Sequence, residues 1–379
     1  MKKIAMQVFT YKHAVAIDAL LQHFWKIYLY YGIDIYYYDS SPDAETKKVI
    51  DKYKNIGAIN LYYIKLSEDV LPDDKTMLAF SGYGLESEYQ YLWPIKDRTM
   101  YDENTLINIF SRIDKNYDAI ILKDVEYPKN PPCHELTKTN YTDPVELYRD
   151  YSWLVTSLDK TIFNSEKLNL LKGFSESSFR ERYYIENKCY FPQTVFLFDA
   201  LSKNSNCSVN VLMPKEAHSY EYPQNSIWRG EGKGIEIFGR YWPEVNNRLP
   251  HLYNDTKKEA IKKETNLAVL FGSVDGLICI GFTEEKNFPE IEKMLSHWED
   301  FSDLPIEKVQ MVMKKDFDGL CKSFFHDYYS CFKKEDVFSA YLEYLGNQWW
   351  INQTPIAKTE QYLEIKKEME LYSTVLNNA

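Results

Sequence analysis

The chain is poor in the signatures that most often announce a function. It has no Gly-x-x-x-x-Gly-Lys-Ser/Thr phosphate loop and no Gly-x-Gly-x-x-Gly after its first apolar segment, and it lacks a Gly-x-Ser-x-Gly elbow. These absences remove the common nucleotide hydrolase, dehydrogenase and esterase readings. Its six cysteines (133, 189, 207, 279, 321 and 331) form no Cys-x-x-Cys and share no zinc-like spacing with the seven histidines, so buried free thiols in a reducing compartment are expected. No stretch reaches the roughly 18 apolar residues of a membrane span. The charged and polar residues Lys12, His13, Asp18 and His23 interrupt any signal-peptide core after Met1-Lys2-Lys3. A soluble, cytoplasmic protein is therefore expected. The net charge of −11 argues against a nucleic-acid partner, because a phosphate backbone is held by basic surface.

What is present is ordinary globular composition over 379 residues, a length that favours two or three domains. Tyrosine is the exception, with 32 residues. Such an excess reflects compositional bias or supplies rings for sugar and base faces, each ring carrying a hydroxyl.

The first 65 residues alternate strand and helix. Strands are predicted at 4–9, 33–38 and 59–64. Helices are predicted over 14–31, with an apolar stripe closed by Gly32, and over 44–53. This order begins a parallel, doubly wound sheet. A helix near 101–114 then leads to a buried strand at 119–123. Segment 129–145 reads as a loop, 152–163 as strand-rich and 179–202 as mainly helical, with a short strand at 209–213. Further on, 250–254 reads as a hinge and 257–264 as a solvated helix. Residues 267–271 and 277–282 flank Gly272-Ser273-Val274-Asp275-Gly276 as a hairpin, and amphipathic helices follow. A domain boundary is placed near 258. In the C-terminal region, Trp349, Trp350, Tyr341, Tyr344 and Leu345 either pack a helical core or present a binding surface.

Four constellations carry chemistry. Asp39-Ser40-Ser41-Pro42-Asp43 ends the second strand and serves either as a helix-capping turn or as an acceptor for a base or ribose hydroxyl. Lys96 and Arg98, set before a helix, can meet a diphosphate, Arg98 through a bidentate fork. Asp124-Val125-Glu126 follows the apolar run 119–122. Ligands of open α/β sheets bind beyond the carboxyl ends of the strands, and two carboxylates there can hold a hard divalent cation that grips phosphate oxygens. Finally, His218 is a candidate third metal ligand, and glycine-flanked Arg229 and Lys233 can approach a diphosphate closely.

Taken in this order, the residues resemble a bacterial glycosyltransferase of the GT-A fold, over roughly 1–255. The segment from Gly239 to Pro250, with Tyr253, Lys257 and Lys258, resembles the end of such catalytic domains in low-GC Gram-positive bacteria. The resemblance implies an α/β, Rossmann-like and mostly parallel sheet flanked by helices in a catalytic domain of residues 1–258. An α-rich α+β accessory region would occupy 259–379. It also implies a nucleotide-diphosphate sugar donor, usually UDP-linked, a Mn²⁺ or Mg²⁺ ion, and a glycan, lipid-linked or protein acceptor for a hexosyltransferase-type reaction. By position, Thr10, Tyr11 and Asp39 would contact the nucleoside, Lys96, Arg98 and Lys233 the ribose or phosphates, and Asp124, Glu126 and His218 the ion.

Two departures from the family stand out. The metal pair is Asp-x-Glu, with a longer second side chain. The place where inverting members carry an acidic base reads Tyr190-Phe191-Pro192-Gln193-Thr194, without an acid. The base is then Glu181, Glu186 or Asp159, or the enzyme retains configuration, with Gln193 and His218 placed as in glycogenin-like relatives. A non-catalytic transferase-like scaffold is the rival reading. A sugar nucleotidyltransferase is the weaker rival, since Phe9-Thr10-Tyr11-Lys12-His13 lacks the glycine-rich loop that chemistry uses.

Overall fold

The computed structural model describes residues 2–68, 70, 74–77, 85–124, 136–168, 176–204, 206–222, 233–264, 267 and 270–316. Glu126, Arg229 and the aromatic residues 341, 344, 349 and 350, with Leu345, lie outside the described residues. The chain divides into two compact units. Among described residues the first comprises 2–222 and 241–264, and the second 233–240 with 267 and 270–316.

The first unit is built on one mixed sheet. Its strands are β1 (Lys2–Thr10), β2 (Asp34–Asp39), β3 (Leu61–Lys65), β4 (Tyr89–Lys96), β6 (Ala119–Leu122), β7 (Asn140–Tyr141), β8 (Thr161–Asn164) and β9 (Val209–Leu212), in the order β3-β2-β1-β4-β8-β6-β9-β7. A separate two-stranded ribbon pairs β5 (Thr99–Tyr101) with β10 (Ser219–Glu221). Strands β1 to β4 are parallel. β8 runs against both neighbours, β4 and β6, and β7 runs against β9. The mostly parallel expectation therefore holds for one half of the sheet and becomes a mixed α/β sheet in the other.

The principal helices of this unit are α1 (Ala14–Tyr30), α2 (Glu45–Asn55), α3 (Glu103–Ile113), α4 (Pro144–Val155), α5 (Glu176–Tyr183), α6 (Pro192–Leu201), α7 (Trp242–Arg248) and α8 (Lys257–Lys262). Helix α1 forms because Ile17, Leu20, Leu21, Phe24 and Tyr28 recur at helical spacing and bury one face. It ends where Gly32 adopts φ +67°, a left-handed conformation that suits glycine at a helix end. Asp102 caps α3 by accepting from the Thr105 N–H at 2.8 Å. Asp143 does the same for α4, whose first residue is Pro144. The core joins α1, α2 and α3 to apolar residues of β1, β2, β4 and β6. Each large side chain removed from water there contributes about 1.5–3 kcal/mol. Much of the tyrosine excess is core material: Tyr28, Tyr37, Tyr89, Tyr91, Tyr101, Tyr148 and Tyr151 are fully buried.

Several local expectations are corrected. Residues 89–96 form a central strand that the presence of Pro94 conceals, since proline is a poor ladder residue. Here β8 pairs with β4 only at Tyr91 and Leu92, so Pro94 lies beyond that ladder. Arg98 consequently sits in the β4–β5 turn, not ahead of a helix. The segment 152–163, read as strand-rich, is the end of α4, a 3₁₀ turn (Leu158–Lys160) and then β8. Within it, burial of both helix faces removes the amphipathic signature. The 250–254 hinge is a 3₁₀ segment (His251–Thr256) anchored by buried Tyr253, whose hydroxyl donates to the Phe198 carbonyl at 2.8 Å. The helix at 257–262 is solvated on one face only, where Lys258 and Glu259 are exposed. Lys257 donates to the carbonyls of Asn247 and Leu249 at 3.0 and 2.7 Å, and Ala260 and Ile261 are buried.

In the second unit the hairpin expected across 267–282 is a helix, α9 (Val274–Cys279), because the Ser273 hydroxyl caps it by accepting from the Gly276 N–H at 3.1 Å. Helices α10 (Phe288–Leu295) and α11 (Ile306–Met313) follow it. Phe271, Phe282, Trp298 and Phe301 pack there as a cluster of edge-on and tilted rings.

Candidate functional site

The carboxyl ends of β1, β2 and β4 lie side by side. Thr10 is paired with Asp39, and Phe9 with Lys96, so three of the predicted site residues share one edge of the sheet. Thr10 is buried, and its hydroxyl has no hydrogen-bond partner among the described residues. Tyr11 stands half-exposed just beyond it. Asp39 is fully buried and closes a turn: its Oδ1 accepts from the Ser41 N–H at 2.8 Å and from the Ser41 hydroxyl, and its Oδ2 accepts from the Tyr63 hydroxyl at 3.0 Å.

The same edge carries groups that sequence reading passed over. Lys75, buried, donates to the Thr10 carbonyl at 2.9 Å. Burial lowers its pKa to about 8, against the partial restoring pull of Asp97 and Asp39. His13 Nδ1 lies 2.7 Å from Asp97 Oδ2, and this hydrogen bond raises the imidazole pKa more than burial lowers it. Nothing in Asp73-Asp74-Lys75 marks it locally as a site. Lys75 becomes one only when it folds against the end of β1.

A chain of alternating charges runs from the edge into the protein. The partly exposed ammonium of Lys96 is 2.9 Å from Asp159 Oδ1 and donates to the Ser157 hydroxyl at 2.8 Å. Asp159 Oδ2 is 2.8 Å from Lys160 Nζ, and Lys160 donates to Asp124 Oδ2 at 2.7 Å. The Tyr101 hydroxyl adds a bond to Asp159 Oδ2 at 3.1 Å. Side-chain exposure is 9% for Lys160, 1% for Asp159 and 0% for Asp124, so the pairs are shielded from water. Burial is the largest single influence on Asp159 and raises its pKa. The charges of Lys160 and Lys96 together outweigh it and hold the carboxyl well below the ordinary range. For Lys160, burial lowers the pKa, and Asp159 with Asp124 more than restores it, leaving the amine above its ordinary value. A general base works best with a pKa near the working pH, and two ammonium groups take Asp159 away from that range.

Asp124 ends the chain. Its Oδ1 is buried and has no hydrogen-bond partner among the described residues. A carboxylate oxygen in that state is expensive to leave bare and is suited to a hydroxyl or a cation.

The remaining candidates lie in other surroundings. Arg98 Nε is 3.0 Å from Glu221 Oε1, so Arg98 and Lys96 engage different partners despite their spacing. His218 is exposed. Its backbone N–H donates to the Thr105 hydroxyl at 2.7 Å, and its ring packs edge-on against Tyr220. Gln193, in the first turn of α6, is buried and donates to the Thr156 carbonyl at 2.6 Å. Glu181 is exposed on α5, and Glu186 is exposed in a turn with φ +49°. Lys233 belongs to the second unit. Among the described residues no group of three His, Cys, Asp or Glu side chains is arranged to hold a metal.

No family model and no curated protein matches the chain. Among solved structures, that of S. aureus TarS 1-349 in complex with UDP-GlcNAc is similar, with a TM-score of 0.53 and 15% identity over 84% of this chain and 89% of that one. The fold is glycosyltransferase-like. The mannosyltransferase PcManGT from Pyrobaculum calidifontis, in complex with GDP-Man and Mn²⁺, gives a TM-score of 0.45 at 10% identity over 79% of this chain and 84% of that one. The fold likeness rests on the first of these. The mixed sheet flanked by helices is therefore that of a glycosyltransferase-like fold.

Proposed function

We propose that the first unit transfers a sugar from a nucleotide-diphosphate donor, UDP-linked, to a glycan, lipid-linked or protein acceptor in the cytoplasm. In this reading residues 1–258 are the catalytic domain and 259–379 an accessory region. The observation that carries it is the unpartnered, buried Oδ1 of Asp124 in the half of the sheet beside the strand ends that present Thr10, Asp39 and Lys96. Open α/β sheets receive ligands at that edge. The S. aureus TarS structure that shares the fold holds UDP-GlcNAc, which makes that donor the first to try.

The chemistry follows from charge. Cleaving the sugar–phosphate bond leaves a nucleoside diphosphate whose negative charge grows in the transition state, and fixed positive groups at the site stabilise it. Lys75 and Lys96 supply such charge from the edge, and Thr10 and Asp39 face the nucleoside. Asp124 Oδ1 suits a donor hydroxyl or an ion. A Mn²⁺ or Mg²⁺ ion needs only one or two carboxylates when diphosphate oxygens and water complete its shell, so Asp124, with Glu126 as a further candidate, fits that requirement, and His218 in its separate surroundings is not needed. When bound, the ion would neutralise the departing diphosphate.

A panel of UDP- and GDP-sugars, assayed for hydrolysis and transfer with Mn²⁺ and with chelator, tests this reading. Release of UDP is expected, abolished in an Asp124→Asn/Glu126→Gln double variant that still unfolds cooperatively, though at a lower melting temperature because Lys160 loses a buried partner. Neither hydrolysis nor a thermal shift with any donor would overturn it in favour of the scaffold.

A further inference from the structure

Asp124 would be a poor fixed acceptor if it stood alone, because an aspartate side chain rotates and can present either oxygen. Here rotation is stopped from behind. β8 pairs antiparallel with β6, with Ile121 opposite Thr161, which brings Lys160 to the carboxyl end of β6. Lys160 then holds Asp124 Oδ2 at 2.7 Å. Lys160 is itself held at 2.8 Å by Asp159 and at 3.3 Å by the Tyr101 hydroxyl. Tyr101 is fixed in turn by the tilted ring of Trp93, 5.0 Å away. Of these buried groups only Asp124 Oδ1 is left without a hydrogen-bond partner.

We propose that Lys160, backed by Asp159 and Tyr101, is a positioning residue for donor binding: it clamps one oxygen of Asp124 so that the other is presented in a single orientation to the donor. This rests on the donor-site reading of Asp124 given above. Lys160 does not touch the donor. It acts through Asp124, as the buried partners of a ligating carboxylate generally do. Its adjacency to Asp159 has a structural role as well, so simple loss of function on substitution would not separate the two.

A double-mutant cycle does separate them, because a residue that acts only through another loses its effect once that other is neutralised. Binding of UDP and of UDP-GlcNAc to the full chain is measured by calorimetry, with and without Mn²⁺, for the unaltered protein, Lys160→Met, Lys160→Arg, Asp124→Asn and the Lys160→Met/Asp124→Asn pair. The expected result is about tenfold weaker binding for Lys160→Met, partial rescue by Lys160→Arg, and no further loss when Lys160→Met is added to Asp124→Asn. If Lys160→Met does not fold, as melting would show, the comparison of Asp124→Asn with the charge-neutral pair carries the test alone. A loss of about tenfold between those two, or full affinity in folded Lys160→Met, would overturn the role. Binding to neither probe by the unaltered chain would instead overturn the donor reading and this role with it, whereas binding that is normal in every variant overturns only the role of Asp124 and its clamp.

Discussion

Lys160 and Asp124 meet at 2.7 Å although 36 residues separate them, and both are screened from water. Asp159 closes the arrangement by facing Lys160 with one oxygen and Lys96 with the other. An isolated buried ion pair is weak evidence for stability, since desolvation offsets attraction. Removing one member of an established set is different, because the remaining charges stay buried and uncompensated.

Asp159→Asn is expected to destabilise the first unit by about 3–5 kcal/mol at pH 7, the usual result of breaking a buried pair. The Asp159 carboxyl is held below its unfolded pKa, so its contribution is present above about pH 4 and is lost as pH falls through the folded value. Urea unfolding at pH 7 and pH 3 should therefore show a large deficit at the first and a smaller one at the second. Equal deficits at both would remove the ionic explanation.

His13 makes the opposite pH prediction. Its folded pKa is raised by Asp97, so the bond contributes fully below the unfolded pKa near 6.5 and weakens as pH rises through the folded value. His13→Ala should cost about 1 kcal/mol at pH 5.5 and less at pH 8.5. The check is a pair of melting curves at each pH. A deficit that grows with pH would contradict the assignment.

Lys75→Met should stabilise the protein while weakening donor binding. The buried amine has a pKa of about 8, below its unfolded value, so its burden on folding is complete below pH 8 and is relieved as pH rises towards 10.4. Allowing for the lost bond to Thr10, a gain of about 1–2 kcal/mol at pH 7 is expected, shrinking as pH rises above about 8 and giving way near pH 10.5 to a small loss from the missing bond. Nucleotide affinity should fall in the same variant, a trade between stability and function. Unchanged affinity would place Lys75 outside the donor's reach.

Gly239→Ala tests the second unit. A Cβ at Gly239 would come within 2.8 Å of both Met294 Sδ and Phe271 Cε1, closer than ordinary carbon contacts allow. Overpacking of this kind costs about 1–3 kcal/mol. Thermal unfolding of the variant provides the measurement, and Met294→Ala in the same chain should recover part of the loss.

Legibility in the sequence varied with how local the determinant was. The apolar runs of β1, β2 and β6 and the stripe of α1 are visible because period and breakers sit within a few residues of each other. Strand β4 was hidden because Pro94 argues against a central strand, and only the short reach of β8 makes it tolerable. The 267–282 segment misled because a glycine-flanked turn signal and the serine cap of a helix use the same residues, and the Ser273 cap won. The spacing of Lys96 and Arg98 suggests a shared partner, yet a strand end followed by a turn sends the two side chains to Asp159 and Glu221.

The amino-acid sequence by itself determined that Thr10 and Asp39 would stand at strand ends and that Asp124 would follow a buried strand, because an apolar run and its polar terminus are adjacent along the chain; the strand that ends in Lys96 emerged only in the structure. Only the tertiary structure decided what Asp124 is: a carboxylate with one oxygen clamped by Lys160 and the other buried without a hydrogen-bond partner among the described residues. The reason is the reversal of β8. An antiparallel strand between two that run the other way brings the residue preceding it to the carboxyl end of β6, and no local pattern encodes that register.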